Sequence, residues 1–292
     1  MARSGEQQPA AITEDVDRVA AIADPVARAR AAGELLAEHQ SAVTRLAQIR
    51  RKAIAELRAQ GFSYAQVGQS LGVTRGRIAQ LRGPDATIEA AFLGGRQITI
   101  ATPLRAQAGG RPMVAQEDVD AATVLAQHLT RLDLETSMQR IPPGGGPAFD
   151  PDALVVICGP GTSHAIAELL EADPALDYAQ RGDGTWTIRE RNSDREFRSP
   201  VDRSASHGDV AYLGRLRRPD GRPFILIAGV HAIGSLGVAH YLVGSSHLRE
   251  LHGTVGSASL FSMVIGCTFD PATLTIRDSE ALVPPYVHGN ST

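Results

Sequence analysis

The chain reads as an α plus α/β protein: an N-terminal helical bundle with a helix-turn-helix, then a mostly parallel sheet flanked by helices. Three observations predict it. Residues 63–82, SYAQVGQSLGVTRGRIAQLR, place apolar side chains and a glycine where two short helices would cross at a tight turn. From Gln97 onward, strand-like and helix-like patterns alternate. Runs such as ALVVIC and FILIAG are apolar throughout, as strands buried on both faces of a parallel sheet are. A length of 292 residues with 43% hydrophobic content is enough for both parts.

Residues 1–11 read as a disordered tail. Alanine-rich helices with leucine and valine at helical spacing are expected over 15–22 and 25–39, followed by a longer basic helix over 42–60. Together with the helix-turn-helix they form a helical module over 12–83. Its turn centres on Gly72, which follows Val67 and Leu71 and precedes Val73, Ile78 and Leu81. Gly68 lies where the second helix would pack, so a branched residue there would push the helices apart. Thr74 suits the N-cap of the second helix, which then presents Arg75, Gly76 and Arg77 outward, toward base edges if DNA is bound.

Charge supports a DNA partner. Residues 41–82 carry Arg45, Arg50, Arg51, Lys52, Arg58, Arg75, Arg77 and Arg82 against the single acid Glu56. Each phosphate contact should steepen the salt dependence of binding by about one unit of log-log slope. The whole chain has a net charge of −3, so the basic character is local and nonspecific binding by the entire surface is not expected.

This segment resembles region 4 of sigma factors and the related sigma-like regulators, in which a longer amphipathic helix precedes the helix-turn-helix. The resemblance covers about residues 42–82 and does not extend to the sigma region that melts promoters. It implies Arg75, Arg77 and Gln80 near base edges, Arg82 on the backbone, and Ser63 and Tyr64 near phosphates. With the capping Thr74, these make up the expected DNA-facing set. The order of helix-turn-helix, linker and α/β domain also resembles a group of sigma-like helix-turn-helix proteins with a Rossmann-like C-terminal domain. That second resemblance implies no activity.

Gly83, Pro84 and Asp85 end the recognition helix, and residues 84–96 read as a linker. The α/β domain is expected over 97–288. Its strand ITIATP precedes a helix over 116–131, with Val119, Ala122, Leu125 and Leu129 on one face. A strand over 134–141 leads through the loop PPGGGPAFDPD to ALVVICG and a helix over 163–170. A hairpin-like stretch at TWTIRER, the segments DVAYLGRL and PFILIAG, a helix over 235–251, FSMVIGCTFD and TLTIRDS complete it.

Two glycine loops follow apolar strands, at 158–163 and 228–237. In parallel α/β sheets such loops sit at the carboxyl edge, where ligands bind. Glycine lets the backbone approach a ligand, and free helical amides favour an anion such as phosphate. The expected ligand residues are Gly159, Gly161, Thr162 and Ser163 in the first loop. Gly229, His231, Gly234 and Ser235 are those of the second, with the His231 ring either facing ligand or capping its own helix. The dinucleotide fingerprint is incomplete, because Gly159-Pro160-Gly161 lacks the third glycine, and no cofactor is assigned.

Catalytic motifs fail on inspection. Ser235 has Ile233 where a nucleophile elbow needs glycine. His231, His240, His247 and His252 show no zinc signature, and no metal is assigned. Glu117, Asp118 and Asp120 open a helix and could face a ribose, but the dipole favours acids there for structural reasons, which is the reading taken. Cys158 and Cys267 lie in apolar runs and read as buried free thiols. The single lysine, Lys52, leaves the C-terminal part without a Walker or Schiff-base lysine. No signal peptide or span of about 18 apolar residues is seen, so a cytoplasmic protein without a membrane partner is expected.

The expectation is therefore a DNA-binding transcriptional regulator whose α/β domain senses a small anionic or nucleotide-like ligand. A two-fold operator calls for a homodimer or higher homo-oligomer. The alternative is a Rossmann-like nucleotide- or NAD-processing enzyme with a helical accessory module. For it, Glu168 is the acid nearest a glycine loop, although no catalytic residue is assigned.

Overall fold

The structure, a computed structural model, describes residues 8–74, 78, 87–106, 111–203, 206–244 and 246–288. It divides into two compact units, Met1–Gly83 and Pro84–Thr292.

In the first unit, α1 spans Gln8–Ala20 and therefore begins within the expected tail. Helix α2 spans Pro25–Ala59, where two helices were expected. Neither glycine nor proline stands between residues 39 and 42, so no residue there interrupts the ladder. Asp24 caps α2 by accepting from the Ala27 amide at 2.9 Å, with proline in the first turn. Helix α3 spans Tyr64–Ser70. A capping box starts it, and Gly72 ends it at φ 65°, with the Val73 amide donating to the Gly68 carbonyl at 2.8 Å. Glycine adopts that left-handed geometry without strain. A small core of Ile54, Val67 and Ile78 joins the pieces, with Leu57, Tyr64 and Val73 packed on it.

The second unit opens with α4, Thr87–Leu93, inside the stretch expected to be a linker. Phe92 and Leu93 are buried in the main core, which is why this segment is ordered against the domain. The buried Arg215 guanidinium donates to the Phe92 carbonyl at 2.8 Å and lies 4.8 Å from the Phe92 ring centre.

The remaining elements in chain order are β1 (Gln97–Pro103), β2 (Arg105–Ala106), β3 (Pro112–Met113), α5 (Gln116–Arg131), β4 (Glu135–Ile141) and β5 (Ala153–Ile157). Next come α6 (His164–Glu171), β6 (Leu176–Gln180), β7 (Trp186–Glu190), β8 (Glu196–Arg198), a 3-10 turn at Pro200–Asp202, β9 (Gly208–Arg217) and β10 (Pro223–Gly229). The chain ends in α7 (Ala232–Val243), α8 (His247–Val255), β11 (Leu260–Phe269), β12 (Ile276–Ala281) and β13 (Tyr286–His288).

The central sheet runs β12-β11-β9-β10-β5-β1-β4, with β13 also on β11. Strands β10, β5, β1 and β4 are mutually parallel, and β11 runs the same way, so five of the eight strands share a direction. Strand β9 departs from the parallel set, being antiparallel to both β10 and β11. Its run DVAYLGRL is buried throughout because α7 covers one face while β8 and the 3-10 turn lie against it elsewhere. Burial on both faces, rather than parallel pairing, produces such a run. The helix expected over 235–251 is broken at Gly244, whose extended backbone (φ −58°, ψ 140°) separates α7 from α8.

Helices α5 and α7 lie side by side on the sheet, α5 over β1, β4 and β5 and α7 over β9 to β12. A separate antiparallel sheet, β6-β7-β8, forms from the hairpin-like region. Among the described residues no helix is long and apolar enough to cross a membrane.

Candidate ligand cleft and DNA-facing segment

The loops after β5 and β10 meet at the carboxyl ends of the parallel strands, as βα loops of neighbouring strands must. Between them lies a cleft of about 270 Å³. Gly159, Gly161 and Thr162 line it from the first loop, and Gly229, His231 and Ser235 from the second. Gly229 permits this arrangement through close packing, because a Cβ there would stand 2.1 Å from the His231 carbonyl oxygen and 2.6 Å from the Ser235 amide. The Ser235 hydroxyl accepts from the Gly229 amide at 3.1 Å and so holds the loop together.

Two expected ligand residues do not line the cleft. Ser163 is buried, accepts from the Ile166 amide and donates to the Gly145 carbonyl at 2.6 Å, so its hydroxyl caps α6 and ties down the loop after β4. Gly234 is a packing glycine, since a Cβ there would lie 2.6 Å from Asp209 Oδ2 and 2.8 Å from the Val210 carbonyl oxygen. The His231 ring does not cap α7. Its Nε2 lies 2.9 Å from Asp202 Oδ1, and the ring remains partly open to the cleft.

Among the lining residues outside the expected ligand set, four bring aromatic or charged side chains. The small sheet contributes Tyr178 and Trp186, whose rings meet edge to face at 5.6 Å. The Tyr178 hydroxyl donates to the Gly229 carbonyl at 2.6 Å and couples that sheet to the second loop. Strand β2 contributes Arg105 and the first turn of α5 contributes Asp118, paired at 3.1 Å between Nη2 and Oδ2. Asp118 is only 3% exposed, and Arg105 Nε is buried without a hydrogen-bond partner among the described residues.

The electrostatics of this edge are not those of a simple anion site. Burial pushes the Asp118 carboxyl up to about 6, and Arg105 only partly opposes it. Asp209, 1% exposed, accepts from the His231 amide at 3.0 Å through Oδ2, while its Oδ1 has no hydrogen-bond partner among the described residues. Burial raises it above the ordinary aspartate range, against the pull of His231. The N-terminus of α7 thus already faces a carboxylate of the chain itself.

Burial also pushes the thiols of Cys158 and Cys267 up to about 12, so both stay protonated at neutral pH. Glu168, the acid considered for the enzyme alternative, is exposed on α6 beside His164 at 3.4 Å and does not line the cleft. The clustered histidines go separate ways: His240 bonds Ser279, His247 stacks on Tyr241 at 4.3 Å, and His252 meets the Phe92 ring. No group of three or more potential metal ligands occurs among the described residues. A larger open groove, about 930 Å³, lies at the opposite ends of β1 and β4, away from the glycine loops.

In the first unit, Ser63 caps α3, accepting from the Gln66 amide at 3.3 Å while its own amide donates to Gln66 Oε1 at 2.7 Å. The Tyr64 ring packs on the small core with the Arg58 guanidinium 4.3 Å above it. Thr74 follows the Gly72 turn, and its carbonyl accepts from the Ile78 amide at 3.0 Å. Arg75, Arg77, Gln80 and Arg82 lie outside the described residues.

No protein-family model matches the chain, and neither a curated protein nor a solved structure matches it.

Proposed function

We propose that the chain is a DNA-binding transcriptional regulator whose C-terminal α/β domain senses a small anionic or nucleotide-like ligand. The observation that carries this reading is the local geometry of residues 63–74 together with the buried Ile78. A capped short helix, a left-handed Gly72 and the buried pair Val67 and Ile78 are what a helix-turn-helix requires. The excess of basic residues over 41–82 supplies the phosphate contacts. Arg75 and Arg77 read base edges, Gln80 joins them, and Arg82, Ser63, Tyr64 and Thr74 hold the backbone.

The working species is a homodimer. A lone helix-turn-helix buries little surface on DNA, and α2 exposes Leu36, Val43, Leu46 and Ile49 at three- to seven-residue spacing. In the second unit, the cleft between the glycine loops is the ligand site.

Selection of genomic fragments, read by sequencing at two salt concentrations, tests the proposal. Wild type should enrich an inverted-repeat site that the Arg75→Ala/Arg77→Ala variant loses. Equal enrichment by both would reduce the motif to a packing device.

One observation favours a second reading, a nucleotide- or NAD-processing enzyme: the buried Asp118 carboxyl opens on the cleft and burial pushes it up to about 6. Incubation with NAD and common nucleotides tests it. Turnover that is abolished in Asp118→Asn would make the enzyme the correct reading.

A further inference from the structure

We propose that the cleft takes a nucleoside-type ligand, an aromatic heterocycle bearing vicinal hydroxyls, with the ring against Trp186 and the hydroxyls on Asp118 and Arg105. This rests on the reading of the cleft as the ligand site and narrows its ligand to the nucleoside part. Phosphate is not the group recognised.

The charge distribution argues first. The usual seat for a phosphate is a helix N-terminus after a glycine loop. At α7 the buried Asp209 carboxylate holds that position, through the His231 amide at 3.0 Å. A second buried carboxylate, Asp118, faces the cleft, and the Arg105 guanidinium is already committed to it. A phosphate dianion would meet like charge in a poorly solvated place.

The hydrogen-bonding capacity argues second. An ionised carboxylate only accepts and a guanidinium only donates, so the pair is complementary to groups that do both. Hydroxyls are such groups, and two adjacent ones can span a carboxylate, as ribose hydroxyls do on the acid of dinucleotide sites. Arg105 Nε is buried and has no hydrogen-bond partner among the described residues, so Asp118 does not take up all of the guanidinium's donors.

The shape argues third. Trp186 is held edge to face by Tyr178, and Gly161 lies against it, where a Cβ would be 3.3 Å from the indole. The indole thereby forms a fixed aromatic wall, a surface on which a base can stack. A volume of about 270 Å³ suits one nucleoside and is too small for a dinucleotide.

Calorimetry and thermal shift on the full-length protein without DNA test the proposal. The probes are adenosine, guanosine, cytidine, uridine, their 2′,3′-dideoxy counterparts and inorganic phosphate. At least one ribonucleoside should bind and raise the melting temperature, and its dideoxy counterpart should bind at least tenfold more weakly. Asp118→Asn should weaken the ribonucleoside by a similar factor and leave the dideoxy compound unchanged, and Trp186→Ala should weaken both. Binding of none of the four, equal affinity for the dideoxy form, or displacement of the nucleoside by phosphate would overturn the proposal. If Asp118→Asn does not fold, the ribo-to-dideoxy ratio on wild type still decides. Because DNA is absent, failure of the DNA-binding reading would leave these outcomes unaffected.

Discussion

Of the aspartates that the second unit buries almost completely, Asp173 and Asp118 are treated in opposite ways. Asp173, 2% exposed, is surrounded by donors. Its Oδ1 accepts from the amides of Ala175 and Leu176 at 2.8 and 2.9 Å and from the Ser262 hydroxyl at 3.2 Å. Its Oδ2 accepts from Tyr212 at 2.7 Å, and His288 stands 3.7 Å away. Burial would raise this carboxyl, but the hydrogen bonds outweigh it and hold it below the ordinary aspartate range. Asp118 has Arg105 as its ionic partner and rises to about 6. The difference separates a carboxylate that holds the fold from one the fold leaves under-compensated beside a cleft.

The largest effect should come from breaking the satisfied site. Asp173→Asn sets an amide against groups that all donate and should cost about 3 kcal/mol or more in urea unfolding. Tyr212→Phe removes one charged hydrogen bond and should cost about 1.5–3 kcal/mol in the same assay. At the cleft the sign reverses. Asp118→Asn removes a carboxylate that is costly to ionise and should stabilise the protein at pH 7.5 by roughly 1 kcal/mol, after loss of the Arg105 pairing.

The pH dependence follows with its sign. Between the ordinary aspartate value of 3.8 and about 6, folded Asp118 keeps a proton that the unfolded chain has released. Its contribution to stability is therefore complete below about pH 4 and is lost as pH rises to 6, by at most about 3 kcal/mol. Asp173 acts oppositely, since its contribution is lost as pH falls below the ordinary range. Asp118→Asn should flatten the slope of stability between pH 4 and 6 while leaving the acid limb in place. The smallest effect belongs to Glu168→Gln, which should change neither melting temperature nor nucleoside binding, because that side chain is exposed and away from the cleft.

Much of this arrangement was legible in the sequence, for reasons the structure makes plain. Strands β5 and β10 are buried on both faces and so read as unbroken apolar runs, and the glycine loops after them were located from that pattern. Helix α5 shows its amphipathic period and runs over the expected residues. Gly72 was legible because a left-handed turn leaves little choice of residue. The antiparallel β9 was not, since a central strand is apolar whichever way its neighbours run. Helix α4 carries its apolar residues in a segment flanked by turn-forming glycine and proline, and Phe92 shows its role only through its partner Arg215, 123 residues away. In the site, Asp118 was set aside because an acid in the first turn of a helix is favoured anyway by the dipole. Arg105 sits on a two-residue strand and Trp186 on a separate small sheet, so neither had a local signal tying it to the glycine loops. Ser163 and Gly234 carried the loop pattern but serve capping and packing, a distinction that only the three-dimensional contacts reveal.

The most direct measurement is an NMR titration of carboxyl carbons in protein labelled at aspartate, with Asp118→Asn and Asp173→Asn used to assign the two resonances. The account predicts a midpoint near 6 for Asp118 and one below the ordinary value of 3.8 for Asp173. Midpoints for both within the range of the exposed aspartates would contradict the claim that the fold leaves charge uncompensated at the cleft and satisfies it elsewhere.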